Sequence, residues 1–380
     1  MNFELTEEQR MIREMVRDFA DREITPHAAN WDERAEFPAE AVRKLGELGL
    51  MGVPIPAEDG GAGADYVSYA LVIEELSRAD AATGVICSAH TSLACDPLAR
   101  FASDAQRARF LRPLASGKGL GCYSLSEPQT GSDAASLQCT ATRTNGEWVI
   151  NGRKVFVTNG READVTLFFA THDKAAGHLG VCAFAIEKGH PGFAVGSILH
   201  KLGIRASSTV ELLFDHCVLT DDHLIGKPGD GFKIAMSALD GGRIGIAAQA
   251  VGIARAALEA AAAYGKVRLT FGRPIVEHQA IQNMIADMAM WVAGARLLVL
   301  RAATLRDRQE RYTEAAAKAK LFASDIAMKA TRLGVQVFGG YGYSVEYPVE
   351  RFYRDAKITE IYEGTSEVMR MVIARDLLRD

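Results

Sequence analysis

The hydrophobic and polar positions along the chain change period twice and so divide the sequence into three regions. Thr6 and Gln9 have the spacing of a capping box, and the apolar residues that follow them recur at helical spacing. Helical patterns continue over residues 38–50 and 67–77. Residues 1–120 are therefore predicted to form an N-terminal α-helical domain.

The middle region has the pattern of β-strands. Asn151-Gly152 stands between two runs rich in valine, isoleucine and aromatic residues, which predicts a β-hairpin turned at that pair. The runs VTLFFAT, GVCAFAIEK and TVELLFDHCVL predict further strands. An antiparallel sheet or barrel is expected over about residues 121–225, within a middle domain of residues 121–230.

After Asp230 the helical period returns and persists. Three long apolar patterns and a short final one predict four helices. They cover residues 232–265, 276–308, 314–337 and 366–378. Residues 231–380 are predicted to form a four-helix bundle, so the expected fold class is α+β in the order helical, β-barrel, helical.

Composition excludes several classes of protein. The chain has 380 residues, of which 48% are hydrophobic, and its net charge of -5 gives no basic footprint for nucleic acid. No apolar run approaches about 18 residues, so no membrane span is expected. The six cysteines lack metal-binding spacing and are expected to be free, buried thiols, and His278 has no partner histidine, so no metal site is predicted. The polar N-terminus, MNFELTEEQR, does not resemble a secretory signal.

Two segments carry candidate chemistry, and each has an ordinary alternative. The loop GCYSLSEPQTGSD, residues 121–133, is either a surface loop or a loop whose hydroxyl and N–H groups line a ligand. Glu363 precedes Gly364 and a helix start, where Thr365 or Ser366 can cap. A carboxylate there can be aimed into a cavity, although the residues alone favour a solvated turn.

Two further segments suit an anionic ligand. The glycines of FGGYGY allow a phosphate to approach the backbone closely, or they merely end a helix. Arg268, Arg273 and His278 precede a helix, which suits anion binding or a cationic surface turn. No Ser-His-Asp order, nucleophile elbow, HExxH or Walker loop occurs, which argues against hydrolases and nucleoside triphosphatases.

Six motifs in order resemble the acyl-CoA dehydrogenase family along the whole chain. They are YSLSEPQTGSD, NGRKVFVTNG, LDGGR, RLTFGRPIVEHQAIQ, QVFGGYGY and IYEGTSEVMR. The resemblance implies the same three-domain fold that the periodicity predicts. It also implies that the segment from Tyr123 to Ser132 within this polar loop lies along a flavin.

FAD is the cofactor that the resemblance implies. Arg268, Phe271, His278 and Gln279 are expected to reach it from a neighbouring subunit, and 336–340 to lie across an interface. The residues implied to bind FAD are Tyr123, Leu125, Ser126, Thr130, Gly131, Ser132, Phe156, Val157, Thr158, Arg268, Phe271, His278, Gln279, Gln336, Val337, Gly339, Gly340, Thr365, Ser366 and Glu367.

The resemblance gives Glu363 the role of catalytic base. It removes the α-proton of an acyl-CoA thioester while hydride leaves the β-carbon for the flavin. Some family members carry this base on the helix after the LD pair, but that position here is Gly242. The residues implied to contact the substrate are Ser132, Asp240, Arg243, Gln249, Thr359 and Gly364, with Asp240 and Arg243 near the pantetheine and adenosine part.

The acyl group is expected to be short. Gln249 and Thr359 would form the pocket floor, and bulky polar residues there stop a long acyl tail. Phe156 replaces a tryptophan common in straight-chain members, so a short branched substrate, isobutyryl or 2-methyl, remains an alternative. Less favoured alternatives are an acyl-CoA oxidase and a non-catalytic, DNA-binding flavoprotein.

The expected partners follow from the same resemblance. They are the acyl-CoA substrate, an electron-transferring flavoprotein that accepts the electrons, and identical chains in a homotetramer. No nucleic-acid partner is expected. The expected location is a bacterial cytoplasm, or the mitochondrial matrix for a mature organellar form.

Overall fold

The computed structural model describes residues 4–378, and its first region is helical as predicted. Thr6 caps the first helix, accepting from the Gln9 N–H at 3.2 Å and donating its own N–H to Gln9 Oε1 at 3.0 Å, so the capping box is confirmed. The helices of this region are α1 (Glu7–Phe19), α2 (Ala28–Arg34), α3 (Ala39–Glu47), α4 (Tyr66–Ala79), α5 (Ala81–Ser88), α6 (Asp96–Phe101), α7 (Asp104–Gln106) and α8 (Arg112–Ala115).

The middle region is an eight-stranded sheet. Its strands are β1 (Gly121–Ser124), β2 (Thr140–Thr144), β3 (Glu147–Thr158), β4 (Val165–Thr171), β5 (Val181–Glu187), β6 (Phe193–Ile198), β7 (Thr209–Leu219) and β8 (Leu224–Ile225). The order is β6-β7-β3-β2-β4-β5-β8, with β1 also paired to β4. Most neighbours are antiparallel, whereas β1 and β2 each pair with β4 in parallel.

The predicted hairpin turn at Asn151-Gly152 is wrong. Strand β3 runs through that pair, and Gly152 (φ 146°) lies at a register shift against β7. A Cβ at Gly152 would stand 2.7 Å from Cys139 Cα, so the glycine allows β2 to approach closely. The turn is made by the other Asn-Gly pair, Asn145-Gly146, whose φ angles of 53° and 87° suit a type I′ turn.

The last region is a set of helices around one long central helix. They are α9 (Gly231–Val267), α10 (Gln279–Asp307), α11 (Thr313–Phe338), α12 (Val349–Ala356) and α13 (Ser366–Leu377), and the short strands β9 (Leu269–Thr270) and β10 (Arg273–Pro274) form a small hairpin between α9 and α10. The four predicted helices are present, while α12 was not predicted. Helix α9 packs against α4, α10 and α11.

The two helical regions share one hydrophobic core, although the sheet separates them in sequence. Val16, Leu45 and Ile73 belong to the same buried cluster as Ile246 and Ile326. The inner side chains of the sheet form a separate cluster. All six cysteines are buried and free, as expected.

Within residues 4–378, two helices are long and apolar enough to cross a membrane by length and composition alone. The core helix of a soluble protein passes the same test, and 83% of the apolar window of α9 is buried inside the fold. In α10 the corresponding share is 33%. The expected absence of a membrane span therefore stays a prediction.

Candidate active site

The turn before α13 directs a carboxylate into the protein. Glu363 and Gly364 both have left-handed backbones, with φ angles of 54° and 101°. Thr365 then begins α13, because its side chain accepts the Val368 N–H at 3.3 Å. Two successive left-handed residues reverse the chain, and Oε2 of Glu363 ends buried with no hydrogen-bond partner among the described residues.

Burial governs the protonation of this carboxylate. It raises the pKa of Glu363 to about 8, against the opposing charges of Lys320 and Arg243. Lys320 Nζ donates to the Gly364 carbonyl at 2.6 Å, and Arg243 Nε lies 3.5 Å from the Glu363 carbonyl. Both cations therefore contact the backbone of the turn and leave Oε2 free. A carboxylate of this kind can exchange a proton near neutral pH.

Helix α9 makes room for the carboxylate at Gly242. A Cβ at this position would stand 2.0 Å from Glu363 Oε2 and 2.7 Å from Leu93 Cδ2. Any side chain at position 242 would therefore displace the carboxylate. A base carried on this helix and a base at position 363 would compete for the same space, and only Glu363 is present.

Three polar side chains, Gln249, Thr359 and Tyr362, have hydrogen bonds to other groups of the chain. Gln249 Nε2 donates to the Ala81 carbonyl at 2.9 Å, and the Tyr362 hydroxyl donates to Gln249 Oε1. Thr359 Oγ1 donates to the Ala356 carbonyl at 2.7 Å. Gln249 and Thr359 have no exposed surface. Tyr362 is the residue before Glu363, so its bond to Gln249 links that side chain to the turn that carries the candidate base.

The polar loop after β1 is anchored by a buried ion pair. Lys154 Nζ donates to Glu127 Oε1 at 2.8 Å and to the Leu125 carbonyl at 3.1 Å, and both charged side chains are buried. The Val155 N–H donates to the Ser126 carbonyl at 2.9 Å. The loop is therefore held firmly to β3 rather than lying as a free surface segment.

Hydroxyl groups along this loop lack partners within the chain. Ser124 Oγ and Thr130 Oγ1 are buried without a hydrogen bond among the described residues. Tyr123 packs on Phe169, with ring centroids 5.1 Å apart, and donates its hydroxyl to the Ala235 carbonyl at 3.3 Å. Buried hydroxyls in native proteins are normally paired, so these two point to a ligand. Gly131 and Ser132 of the same loop are exposed.

The end of β3 presents one aromatic ring to the surface. Phe156 has a left-handed backbone (φ 59°) and is 66% exposed. Val157 beside it is buried, and Thr158 is half-buried. An exposed phenylalanine on a left-handed residue is unusual and marks a candidate contact surface.

A cavity of about 1040 Å³ lies between α9, α10 and the end of α11. Five of the predicted cofactor residues line it: Arg268, His278, Val337, Gly339 and Gly340. A Cβ at Gly339 or Gly340 would meet no atom within 4 Å, so the backbone is open to a ligand. The guanidinium and the bare glycine backbone suit an anionic group.

Other residues predicted to bind the cofactor do not line this cavity. Phe271 is 96% exposed at the tip of the β9–β10 hairpin, and Gln279 and Gln336 are exposed helix residues. Ser366 is buried at the start of α13, whereas Glu367 is exposed.

The two residues predicted near the pantetheine and adenosine part lie close to the base. Asp240 accepts from Arg243 Nη1 at 2.6 Å and from Thr313 Oγ1 at 2.7 Å, so protein groups satisfy both carboxylate oxygens. Arg243 is buried beside the Glu363 carbonyl. The structure thus groups Asp240 and Arg243 with Glu363, while Ser132 is exposed on the polar loop.

Sequence reasoning missed the buried cations Lys154 and Lys320. A signal existed for Lys320, because it lies on the same helical stripe as Ala316, Ala323 and Ala327, all of which are buried. Lys154 lies in a strand whose alternation gives no such warning, since its neighbour Val155 is buried too.

Three family models match the chain in order along almost its whole length. The N-terminal domain of acyl-CoA dehydrogenase matches residues 6–118, the middle domain 122–217 and the C-terminal domain 229–378. The chain belongs to the acyl-CoA dehydrogenase family. The predicted enzyme class is therefore confirmed, and so is the predicted fold class.

Relatives within the acyl-CoA dehydrogenase family match end to end. The short-chain specific acyl-CoA dehydrogenase of Clostridium acetobutylicum is 50% identical over 379 residues and covers 100% of both chains. The human mitochondrial short-chain specific enzyme is 47% identical over 376 residues, covering 99% of this chain and 91% of its own. Among solved structures, butyryl-CoA dehydrogenase from Megasphaera elsdenii has a TM-score of 0.98, 44% identity and full coverage of both chains.

Proposed function

We propose that this acyl-CoA dehydrogenase converts a short-chain acyl-CoA to the trans-2-enoyl-CoA, with Glu363 as the base that removes the α-proton. The observation that carries the proposal is the Glu363 carboxylate, which is buried, lacks a hydrogen-bond partner at Oε2 and has its pKa raised by burial to about 8. The names of the bacterial and mitochondrial relatives, which are short-chain specific enzymes, support the substrate class.

FAD is the cofactor that we assign, and the residues present fit it. The unpaired hydroxyls of Ser124 and Thr130 suit the polar edge of a flavin, while Arg268 and the open backbone of Gly339 and Gly340 suit a diphosphate. PigA, solved with FAD and proline, has a TM-score of 0.96 and 30% identity to this chain and covers 99% of each chain. When bound, FAD supplies the acceptor for the hydride from the β-carbon.

Residues of this chain account for the proton transfer. Glu363 takes the α-proton at its unpaired Oε2, and its burial excludes water that would compete for that proton. We propose that the backbone N–H of Glu363 donates to the thioester oxygen, where negative charge develops. The left-handed turn presents that N–H and the carboxylate from the same residue.

The acyl pocket is proposed to end at Gln249 and Thr359. Both are fully buried with their hydrogen bonds to protein groups satisfied, so they form a fixed wall rather than a flexible one. Butyryl-CoA dehydrogenase from Megasphaera elsdenii supports a four-carbon acyl group. A short branched acyl group is the second candidate because of the phenylalanine at position 156.

The proposed partners are an electron-transferring flavoprotein and three further copies of the chain. A neighbour described as the electron transferring flavoprotein of Acidaminococcus fermentans, studied towards a mechanism of flavin-based electron bifurcation, has a TM-score of 0.99 and 49% identity. The homotetramer is proposed from the resemblance of the chain to its family. We further propose domain limits of 1–120, 121–230 and 231–380, and a bacterial cytoplasm or mitochondrial matrix as the location.

Anaerobic titration of the purified, FAD-loaded protein tests the function. Butyryl-, isobutyryl-, octanoyl- and isovaleryl-CoA are added in turn while the visible absorbance of the flavin is followed. Butyryl-CoA is expected to bleach the flavin, and Glu363→Gln to lose bleaching while retaining FAD. The exposed Glu310→Gln serves as the matched control and should behave as the parent does.

Other outcomes would replace the proposal. Bleaching by isobutyryl-CoA alone would assign the branched substrate. Rapid recovery of the oxidised flavin in air would indicate an oxidase, and no bleaching by any thioester would leave a non-catalytic flavoprotein. Unchanged bleaching in Glu363→Gln would mean that another group is the base.

A further inference from the structure

Lys320 is a buried cation that the proposed reaction does not use. It lies on α11 with no exposed surface, between the buried residues Ala316 and Ala323. A buried ammonium is costly unless nearby groups compensate its charge. Its Nζ donates to the Gly364 carbonyl at 2.6 Å, on the turn that carries the candidate base. Among the described residues Lys320 forms no ion pair at hydrogen-bond distance, so the cation contacts the site through its backbone.

The contact between Lys320 and the Gly364 carbonyl lies in the left-handed turn formed by Glu363 and Gly364. Glu363 is a non-glycine residue with a left-handed backbone, a conformation that persists only when surrounding contacts impose it. Lys320 holds the Gly364 carbonyl on one side, while Arg243 approaches the Glu363 carbonyl from α9 on the other. Two cations from two helices thus hold successive carbonyls of the same turn.

Lys320 and Glu363 also interact through their charges. Lys320 is the charge that most favours ionised Glu363. Burial lowers the pKa of Lys320 to about 8, and Glu363 is the main charge that opposes this shift and favours the ammonium. The other charged groups that act on Lys320 are Arg243 from α9, Glu360 from the turn after α12 and Glu367 from α13. Tyr69, Tyr123 and Tyr362 face the Glu363 carboxylate as neutral phenols, since burial raises their pKa values.

We propose that Lys320 is a positioning residue for the base: its ammonium fixes the Gly364 carbonyl, aims the Glu363 carboxylate and favours its ionised form. The inference rests on the proposed role of Glu363. Lys320 touches neither the substrate nor a reacting atom in this assignment. Its role is to set where the carboxylate stands and at what pH it becomes a base.

The test compares variants of Lys320 in the FAD-loaded protein. Lys320→Met removes the charge and the donor at nearly the same length, Lys320→Gln keeps an N–H donor without the charge, and Lys320→Arg keeps both. Lys318→Met on the same helix is the matched control, because Lys318 is paired with Glu314 and lies away from the site. The rate of anaerobic flavin reduction by butyryl-CoA is measured between about pH 6 and pH 10, with FAD content and thermal melting as checks on the fold.

An opposite charge a few Å away lowers a carboxylate pKa by about 1–3 units. The rising limb of the pH profile is therefore expected to move up by about one unit or more in Lys320→Met, with reduction about tenfold or more slower at pH 7. Lys320→Arg should restore the limb, and Lys318→Met should leave it unchanged. A role confined to packing would lower the rate equally at every pH.

A pH limb that stays in place in Lys320→Met, with FAD retained, would overturn the proposal. If Lys320→Met does not retain FAD, Lys320→Gln takes its place: an upward shift supports the proposal and an unmoved limb overturns it. Failure of the parent protein to reduce its flavin with any acyl-CoA would instead overturn the proposed function. Flavin reduction in the parent protein therefore distinguishes a failure of the proposed function from a failure of the proposed role of Lys320.

Discussion

At the residue scale, the site depends on the backbone conformation of Glu363 and on the absence of a side chain at Gly242. Glu363 adopts a left-handed backbone that points its carboxylate inward, and Gly242 of α9 leaves room for Oε2. Burial then raises the pKa of the carboxylate to about 8. The position of the Glu363 carboxylate and its pKa therefore both depend on the room left at Gly242. A side chain at position 242 should change both.

Gly242→Ala is predicted to impair catalysis far more than folding. The new Cβ would stand 2.0 Å from Oε2, so the carboxylate must move, and a misplacement of about 1 Å can cost on the order of 100-fold in rate. Anaerobic flavin reduction by butyryl-CoA measures the loss. Gly294→Ala is the control, because its Cβ would meet only the Phe322 ring at an ordinary 3.6 Å. Equal rates in the two variants would show that Gly242 does not shape the site.

At the scale of elements, β3 supports the polar loop through a buried ion pair. Lys154 lies on β3 and Glu127 on the loop, and the carboxylate also accepts the N–H groups of Gln138 and Cys139 at 2.6 and 3.0 Å. One side chain thus joins the loop, β3 and the start of β2. The value of such a pair lies in the geometry it imposes, because burying two charges gives little net stability.

Lys154→Met is predicted to destabilise the protein by about 3–5 kcal/mol and to reduce its FAD content, because it leaves Glu127 buried without its counter-charge. Urea unfolding and the ratio of flavin to protein absorbance measure the two effects. Glu127→Gln combined with Lys154→Met should recover part of the stability, since no unpaired charge remains and the amide oxygen still accepts. The exposed Lys174→Met is the control, and a loss as large there would contradict the assignment.

The sequence predicts the elements that are determined by neighbouring residues, and it fails where contacts between distant segments decide the structure. The capping box at Thr6 and the long helices follow from spacing along the chain, and both are present. Two Asn-Gly pairs occur within eight residues, and only the register of β2 against β3 decides that Asn145-Gly146 turns while Asn151-Gly152 does not. Helix α12 was missed because it is only eight residues long, so its apolar positions Val349, Phe352 and Ala356 repeat over only about two turns.

In the candidate site, too, contacts between residues distant in sequence were not predicted. Six motifs were enough to select Glu363 as the candidate base, but not to reveal the cations beneath it. Lys320 approaches Gly364 from a helix 44 residues earlier in the sequence, and Arg243 approaches Glu363 from one 120 residues earlier. Contacts of this range depend on how the helices pack, which periodicity does not report.

At the scale of the whole molecule, the sheet region is joined to the last helical region by a buried carboxylate. Asp355 of α12 accepts the N–H of Ile204, a residue with a left-handed backbone in the loop between β6 and β7. Burial raises the pKa of Asp355 to about 7, with Asp80 acting in the same direction and Arg351 against it. The junction is therefore held by a carboxyl group that is neutral over much of the acidic range.

This junction predicts a pH-dependent stability. Because the folded pKa of Asp355 lies above its ordinary value, its contribution is complete below about pH 4 and is lost as the pH rises towards about 7. Asp355→Asn cannot ionise, yet its side-chain oxygen can still accept the Ile204 N–H. The Tm of the variant relative to the parent is therefore expected to rise between about pH 5 and pH 8, by roughly 2–5 °C. Asp325→Asn, a half-exposed aspartate on α11 that pairs with Lys329, should show no such trend. A difference in Tm that is the same at both pH values would mean that Asp355 is already ionised in the folded protein.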